Sequence, residues 1–468
     1  MSTSNSVVDD FRVEHSHDYE VPLRAPVESV PDDKNTELTL KLSDRKFIQQ
    51  YANVYYMRLA VLKAPTIKAA SLSWDSIKID GRPVHHVDKV LNISESQLVW
   101  VVGTIYKEMK FKPNILEDVS SAHYGPAPVV KNKYIDPATD VIMLEDESGR
   151  VKLVGNKIQT LRLVTGIVVA VLGTEDQEGD FHVIDVRYPD YAPQKPLVSN
   201  ASQRRYIALI SGMSLSPTDS SFREQLLAEF LTGELGGVGQ KELSSQICHV
   251  ILAGDSIADQ NPSKGNLLSF GTETPQFDFG PMGRLDDFIY QVGQSMPISL
   301  LPGQEDPVGA SMPQQPFHRA LFGRSSALEK QGVFNCTTNP HWWNIEGRTI
   351  LGTGGQTIND IYRYLEDSNR LDMMKDTLKW RHCAPTAPDT LWCYPFPDSD
   401  PFILHETPHI FFVGDQPKFE SRLVEDVDAD GQKVTFRLIA LPRFCETGQV
   451  VLVDIDTLQT RAIEIIAS

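Results

Sequence analysis

CHVILAGDS (248–256) is the stretch that decides the fold: an apolar run of buried-strand type that stops abruptly on Gly254-Asp255. Upstream, RYIALISGM (205–213) reads the same way, and SSFREQLLAEFLTGEL (220–235) between the two is an amphipathic helix with Phe222, Leu226, Leu227, Phe230 and Leu231 inward. Downstream come a polar, Gly/Pro-rich insertion (259–283), the helix RLDDFIYQVGQSM (284–296) and the strand MPISLLPGQEDP (296–307). Further strands are RTILGTGG (348–355), HIFFVGDQP (409–417), KVTFRLIALPRF (433–444) and QVVLVDIDTLQTRAIEII (449–466). Strands alternating with helices predict α/β layers with mixed sheets rather than a pure sandwich.

The half before this differs. LVWVVGTIYKEM (98–109), DVIMLEDESGRVKLVG (140–155) and LRLVTGIVVAVLGTEDQEGDFHVIDVRY (161–188) show a period of two, with turn signals at 147–149 and 175–180. Several short strands in so few residues predict a small barrel, and an OB fold fits the size. Before it, SDRKFIQQYANVYYMRLAVL (43–62) reads as a helix capped by Ser43, with Phe47, Tyr51, Val54, Tyr55, Leu59 and Leu62 on one face. Residues 1–42 read as a disordered acidic tail. Within residues 1–38 there are nine Asp/Glu against three Arg/Lys, with no sustained apolar period. The expected organisation is therefore 1–42 tail, 43–197 helix and OB-fold domain ending in the linker APQKPLV (192–198), and 198–468 α/β domain with 259–283 as a flexible insertion.

Composition narrows the function classes. The chain has 468 residues, 41% hydrophobic and 23% charged, and a net charge of −18 from 44 Lys/Arg against 62 Asp/Glu. So acidic a body repels phosphodiester backbones and favours partners with basic patches. No apolar run is long enough to span a membrane, and the N-terminus lacks the basic start and apolar stretch of a secretory signal. The five cysteines, Cys248, Cys336, Cys383, Cys393 and Cys445, are scattered without a CxxC, which predicts reduced thiols. Cys383 and Cys393 beside His382 fit no zinc spacing and read as buried thiols. His15 and His17 read as solvated residues of the tail. Lys107, Lys110 and Lys112 at a strand end are candidate contacts for single-stranded nucleic acid, but the surrounding carboxylates favour a solvated strand edge. Trp342 and Trp343 are candidate interface anchors, with packing in the seam between the domains as the other reading.

Ligands of open α/β sheets sit at the C-terminal ends of strands. The residues there are Ser211-Gly212-Met213, Gly254-Asp255, Gly303-Gln304-Glu305-Asp306 and Gly414-Asp415-Gln416-Pro417, with His382 in a connecting segment. Their order resembles the calcineurin-like metallophosphoesterases, whose pattern runs Asp-x-His, Gly-Asp-x-x-Asp, Gly-Asn-His-Asp/Glu, a lone His, and Gly-His-x-His. Two divalent metals need carboxylate and imidazole donors. Here Ser211 and Met213 replace the first Asp and His. Asp255 matches, but the second acid of its motif falls on Ala258, with Asp259 one place off. Gln304 and Glu305 replace Asn and His, and Asp306 follows them. Asp415 and Pro417 replace the two final histidines, and His382 stands as the retained lone His. The resemblance implies a phosphoesterase-type domain with a degenerate site and no bound metal or cofactor.

An OB-type barrel followed by such a domain is similar to the B-type accessory subunits of eukaryotic replicative DNA polymerases, and most to the small (second, B-type) subunits of DNA polymerase delta. The strings that carry this are FIQQYANVYYMRL (47–59), VVGTIYKEMKFKPNIL (101–116), KYIDPATDVIMLEDESGRVKL (133–153), LVTGIVVAVLG (163–173), LLPGQEDP (300–307), MPQQPFH (312–318), LGTGGQTINDIYRY (351–364) and HCAPTAPDTLWCYPFPDSDPFI (382–403). The resemblance implies a nuclear, non-catalytic scaffold for replication and repair synthesis. It implies binding to the cysteine-rich C-terminal domain of a polymerase catalytic subunit and to a third, elongated subunit, with the sliding clamp reached only indirectly and DNA contact weak. The competing expectations are an active metal-dependent phosphodiesterase or nuclease, and a single-strand binder acting through the barrel.

Overall fold

The computed structural model describes residues 23–466 except 25, 42–44, 46–49, 114–131, 198–202, 218–221 and 259–277. Ser43, Phe47, His15, His17 and Asp259 lie outside the described residues, as does most of the expected insertion. Its last residues are helical, because Pro281 sits in the first turn of a helix running Gly280–Gly293, where its missing N–H leaves no bond unmade.

The barrel is built from β1 (Val99–Glu108), β2 (Val141–Glu145), β3 (Arg150–Val154), β4 (Val168–Glu175) and β5 (Asp180–Arg187). Neighbours run β1-β2-β3-β5-β4, and β4 pairs back onto β1, which closes the ring. The β3–β5 pair is parallel and the others antiparallel. That order is the OB topology, and closure leaves β1 and β4 without free edges. Val99, Val101, Ile105, Val169, Val171 and Phe181 fill the interior.

The expected period of two is blurred in β1 and β4 because both faces are covered. Their outward residues Trp100, Val102, Val168, Ala170 and Leu172 pack under Leu59, Leu62, Ala70 and Trp74 of helix α1 (Ala52–Trp74). The helix therefore runs a further three turns beyond the predicted Leu62, since the barrel offers apolar surface for its whole length. Of the predicted face, Val54, Leu59 and Leu62 are buried, while Tyr51 is largely exposed.

The C-terminal domain stacks two sheets. One contains β6 (Tyr206–Ile210), β7 (Ile247–Ala253), β8 (Ile298–Leu301), β9 (Phe334–Cys336), β15 (Gln449–Asp454) and β16 (Thr460–Glu464), in the order β9-β8-β7-β6-β15-β16. The other contains β10 (His341–Ile345), β11 (Arg348–Thr353), β12 (Ile410–Gln416), β13 (Glu420–Val427) and β14 (Lys433–Pro442), in the order β10-β11-β12-β14-β13. Ile207, Leu209, Ile251, Trp343, Ile350, Phe412 and Ile439 interdigitate between them. Helices α2 (Arg223–Thr232), α3 (Val238–Ser245) and α4 (Gly280–Gly293) flank the first sheet; α5 (Gln356–Tyr364) and α6 (Arg370–Lys379) flank the second.

Two expectations about loose segments change. Part of the supposed tail is bound: Ser29–Val30 adds antiparallel to β10, Leu38 is buried, and the Arg24 guanidinium donates to the carbonyls of Leu231 at 2.9 Å and Ser244 at 2.7 Å and to that of Ile247. A strand edge and carbonyls at the ends of helices and at the start of a strand supply the partners that composition cannot reveal. The linker is likewise stitched down, with the Gln194 amide exchanging bonds with backbone N–H and C=O of Thr435 at 2.8 and 2.9 Å.

Barrel and C-terminal domain share one continuous core. At their seam the fully buried Arg58 of α1 donates to Asp400 Oδ2 at 2.7 Å and to the carbonyls of Gly166 (3.1 Å), Pro385 (2.7 Å) and Ala387 (2.7 Å). Gly166, at φ 91°, has no room for a Cβ, which would sit 2.0 Å from the Pro385 oxygen.

Candidate functional site

Strands β6, β7, β8 and β12 all end at one edge of the sandwich, and β14 delivers Arg443 there. Ser211 knits the two sheets: its hydroxyl donates to Ala253 C=O at 2.8 Å and accepts from Asp415 N–H at 2.9 Å. A carboxylate here would have no proton to give the carbonyl, so the hydroxyl suits a structural clip.

Asp255 and Asp306 lie beneath this edge, both nearly inaccessible. Asp255 Oδ1 accepts from Glu305 N–H at 2.8 Å; Asp306 accepts from Ile257 N–H at 2.9 Å and Gly303 N–H at 2.7 Å. Burial, then the neighbouring Asp306, push Asp255 up to about 8, and burial pushes Asp306 up to about 6. The pair thus keeps a proton at neutral pH, as two adjacent carboxyls without a counter-cation must. Gly303 makes the approach possible, since a Cβ there would fall 2.2 Å from Asp255 N.

The cation at this edge is internal. Arg443 grips Glu305 bidentately, Nη1 to Oε1 at 3.0 Å and Nη2 to Oε2 at 2.9 Å, bonds Ser214 Oγ at 2.6 Å, and stands 3.7 Å from Asp415 Oδ1. Its hydrogen bonds to Glu305 hold it firmly protonated. Asp415, raised by burial, also accepts from Asn359 Nδ2 at 2.9 Å.

Neutral amides fill the neighbouring ground. Asn339, fully buried, directs Nδ2 to Pro302 C=O (3.0 Å), Gln314 Oε1 (2.9 Å) and Gln356 Oε1 (3.0 Å), and accepts from Gly354 N–H at 3.1 Å. Gln314 in turn donates to Gly303 C=O at 2.9 Å. Among the described residues, no group of three or more His, Cys, Asp or Glu is arranged to hold a metal ion. The arrangement braces strand ends through neutral amides, one internal guanidinium and a shared proton.

The structure thus brings Ser211, Asp255, Glu305, Asp306 and Asp415 together, while other predicted site residues lie apart. Met213 is packed in the layer that joins the first sheet to α2 and α4, and Gln304 and Pro417 are exposed. His382 belongs to the seam: its Nε2 meets Asp400 Oδ2 at 2.9 Å, on the carboxylate that Arg58 also binds. Burial, then Arg58, push this imidazole down to about 4. Burial alone would raise Asp400, but His382 and Arg58 hold it well below the usual carboxylate range.

Trp342 and Trp343 are no surface anchors, each being 5% exposed. They take opposite faces of β10: Trp343 lies between the sheets with its indole N–H on Ser299 Oγ at 3.2 Å, and Trp342 packs in the shared core under Lys34. Lys107 and Lys112 are not a DNA-facing patch either. Lys107 Nζ donates to Tyr364 C=O at 3.1 Å and is pushed down to about 8 by burial, and Lys112 pairs with Asp389 inside the seam. Lys110 is exposed. Cys383 and Cys393 are buried, and burial pushes the Cys393 thiol up to about 12.

Sequence reasoning missed Arg443, Asn339, Gln314, Gln356, Arg58 and Asp400. Arg443 follows directly on a strand end, which is the same positional signal that singled out the acids. The amides carry no such mark.

The family model described as DNA polymerase delta subunit OB-fold domain matches residues 50–186, and that for the B subunit of DNA polymerases alpha and epsilon matches 207–421. The DNA polymerase delta small subunit of Saccharomyces cerevisiae is 36% identical over 92% of this chain and 92% of its own. That of Arabidopsis thaliana is 37% identical, covering 88% of this chain and 90% of its own. DNA polymerase delta subunit 2 of Drosophila melanogaster is 33% identical, covering 92% and 96%. With such identity along nearly the whole of each sequence, and a barrel of OB order ahead of a two-sheet α/β domain, the chain belongs to the DNA polymerase delta small-subunit family.

Proposed function

We propose that this chain, as an accessory subunit of a delta-type replicative DNA polymerase, is a scaffold without catalysis of its own. It bridges the cysteine-rich C-terminal domain of the catalytic subunit and a third, elongated subunit, through which the sliding clamp is reached, and it does so in the nucleus during replication and repair synthesis. The observation that carries the non-catalytic reading is Arg443. A guanidinium gripping Glu305 and standing near Asp415 puts fixed positive charge where a phosphoesterase would need exchangeable divalent ions. The committed lysines of the seam and the net charge of −18 support weak direct contact with DNA.

The test is turnover. Purified chain with manganese or magnesium should cleave neither a chromogenic phosphodiester nor a DNA end. Metal-dependent turnover that disappears in Asp255→Ala would refute the non-catalytic reading. Reconstitution with the two other polymerase subunits checks the bridging role: a ternary complex should form only when this chain is present.

A further inference from the structure

Strand β10 would end its sheet but for the segment 26–40, which composition marks as tail. Glu346 N–H donates to Glu28 C=O at 2.9 Å, Glu28 N–H donates to Glu346 Oε1 at 2.7 Å, and Ser29 and Val30 pair with Ile345 and Asn344. Beyond Val30 the covering passes to a side chain. Asn35 Nδ2 donates to Trp342 C=O at 2.7 Å, and Asn35 Oδ1 accepts from Trp342 N–H at 2.9 Å. One amide thus makes both bonds that an opposing strand residue makes in an antiparallel pair. The segment is anchored at its two ends. Arg24 grips the carbonyls of Leu231, Ser244 and Ile247 ahead of it, and Leu38 is buried in the shared core, with Gln315 bonded to Leu38 C=O at 3.1 Å and to Leu40 N–H at 2.8 Å.

The two ends of this sheet are guarded differently. β13 carries Glu420, Arg422, Glu425 and Asp426 among its eight residues, charge of the kind that keeps strands from pairing edge to edge. β10 reads HWWNI and carries none, since burial pushes the His341 imidazole down to about 3 and leaves it neutral. Tryptophan and isoleucine suit strands. Bared, this edge would be an uncharged template for another strand.

We propose that residues 26–40, clamped by Arg24 and Asn35, are a displaceable guard over the β10 edge, and that the bared edge pairs with the same edge of a second copy of this chain. The guard's own strand is two residues long and exposed, and a true strand in place of Asn35 would satisfy the same groups of Trp342. Without charge, the edge selects by main-chain bonds and apolar contact alone. An identical strand supplies both, running antiparallel about a two-fold axis.

The test is sedimentation velocity of the full chain across a hundredfold concentration series, with hydrogen exchange read at the Trp342 and Glu346 amides. The wild-type chain should stay monomeric with both amides slow. Arg24→Ala combined with Asn35→Ala should exchange at least tenfold faster at both amides when dilute, then dimerise and slow again as concentration rises. Adding Asn344→Lys, which charges the edge, should return the released chain to monomer with the amides still fast. If the double variant melts early, Asn35→Ala alone decides, with smaller shifts of the same sign. Wild-type exchange in the folded variants would overturn the proposal, as would a fast-exchanging chain that stays monomeric at every concentration or a dimer that survives Asn344→Lys. Released monomers that bind the catalytic or third polymerase subunit tenfold more tightly than wild type would also overturn it, by making the edge a site for that subunit.

Discussion

Replacing Asp255 by asparagine removes a proton-binding group while keeping the acceptor that Glu305 N–H uses at 2.8 Å. Asparagine also tolerates the left-handed backbone found here, φ 51°. In the unfolded chain this carboxyl ionises near the ordinary value of about 3.9; in the folded chain burial and Asp306 push it up to about 8. Between those values the unfolded carboxylate is ionised and the folded one protonated. Folding therefore takes up a proton, and stability falls as pH rises through the window. From pH 5 to pH 8, about three units at roughly 1.4 kcal/mol each set a ceiling of about 4 kcal/mol. Sharing of the proton with Asp306 spreads the titration over the pair, so the loss belonging to Asp255 itself falls below that ceiling. Urea midpoints followed by far-UV circular dichroism at pH 5, 6, 7 and 8 measure this. The wild-type midpoint should drop across the series more steeply than that of Asp255→Asn, and the variant should be the more resistant chain at pH 8. Parallel profiles would mean that the carboxyl titrates alike in the folded and unfolded chains, and a variant that loses ground against the wild type as pH rises would mean that the carboxylate is ionised and stabilised by a counter-charge; either result refutes the reasoning.

Three other outcomes follow from the packing. Arg58→Met should lower stability by about 3–5 kcal/mol, since it strands the buried Asp400 carboxylate; thermal melting should show barrel and C-terminal domain losing stability together. Trp343→Ala empties a site between the two sheets and should cost about 3–5 kcal/mol in chemical denaturation, whereas Trp343→Phe should cost less, losing mainly the bond to Ser299. Lys107→Met should leave fluorescence anisotropy with single-stranded DNA unchanged at every salt concentration, because the amine is already bonded to Tyr364; a flatter salt dependence in the variant would show that it contacts phosphate.

The strands, the barrel and the strand-end acids were legible because each is written locally: a buried strand is a run of apolar residues, and its last residues mark the edge where it stops. What was misread depended on distant partners. Trp342 and Trp343 follow a proline and look unphased, yet β10 points one into each of two cores. Lys107 and Lys112 sit on a strand end as a solvated edge would, but α5 and the 385–390 segment close over them. His382 took its expected place from the order of motifs, whereas Arg58, 324 positions earlier in the sequence, fixes its real environment by anchoring Asp400.

Local periodicity, turn chemistry and charge balance determined that this protein has a small barrel, an α/β body and an acidic surface, since each of these is set by neighbouring residues or by simple sums. Only the tertiary structure decided which ionisable groups face water, which share a proton and which neutralise one another. Burial and partner distance set those outcomes, and both arise from contacts between residues hundreds of positions apart.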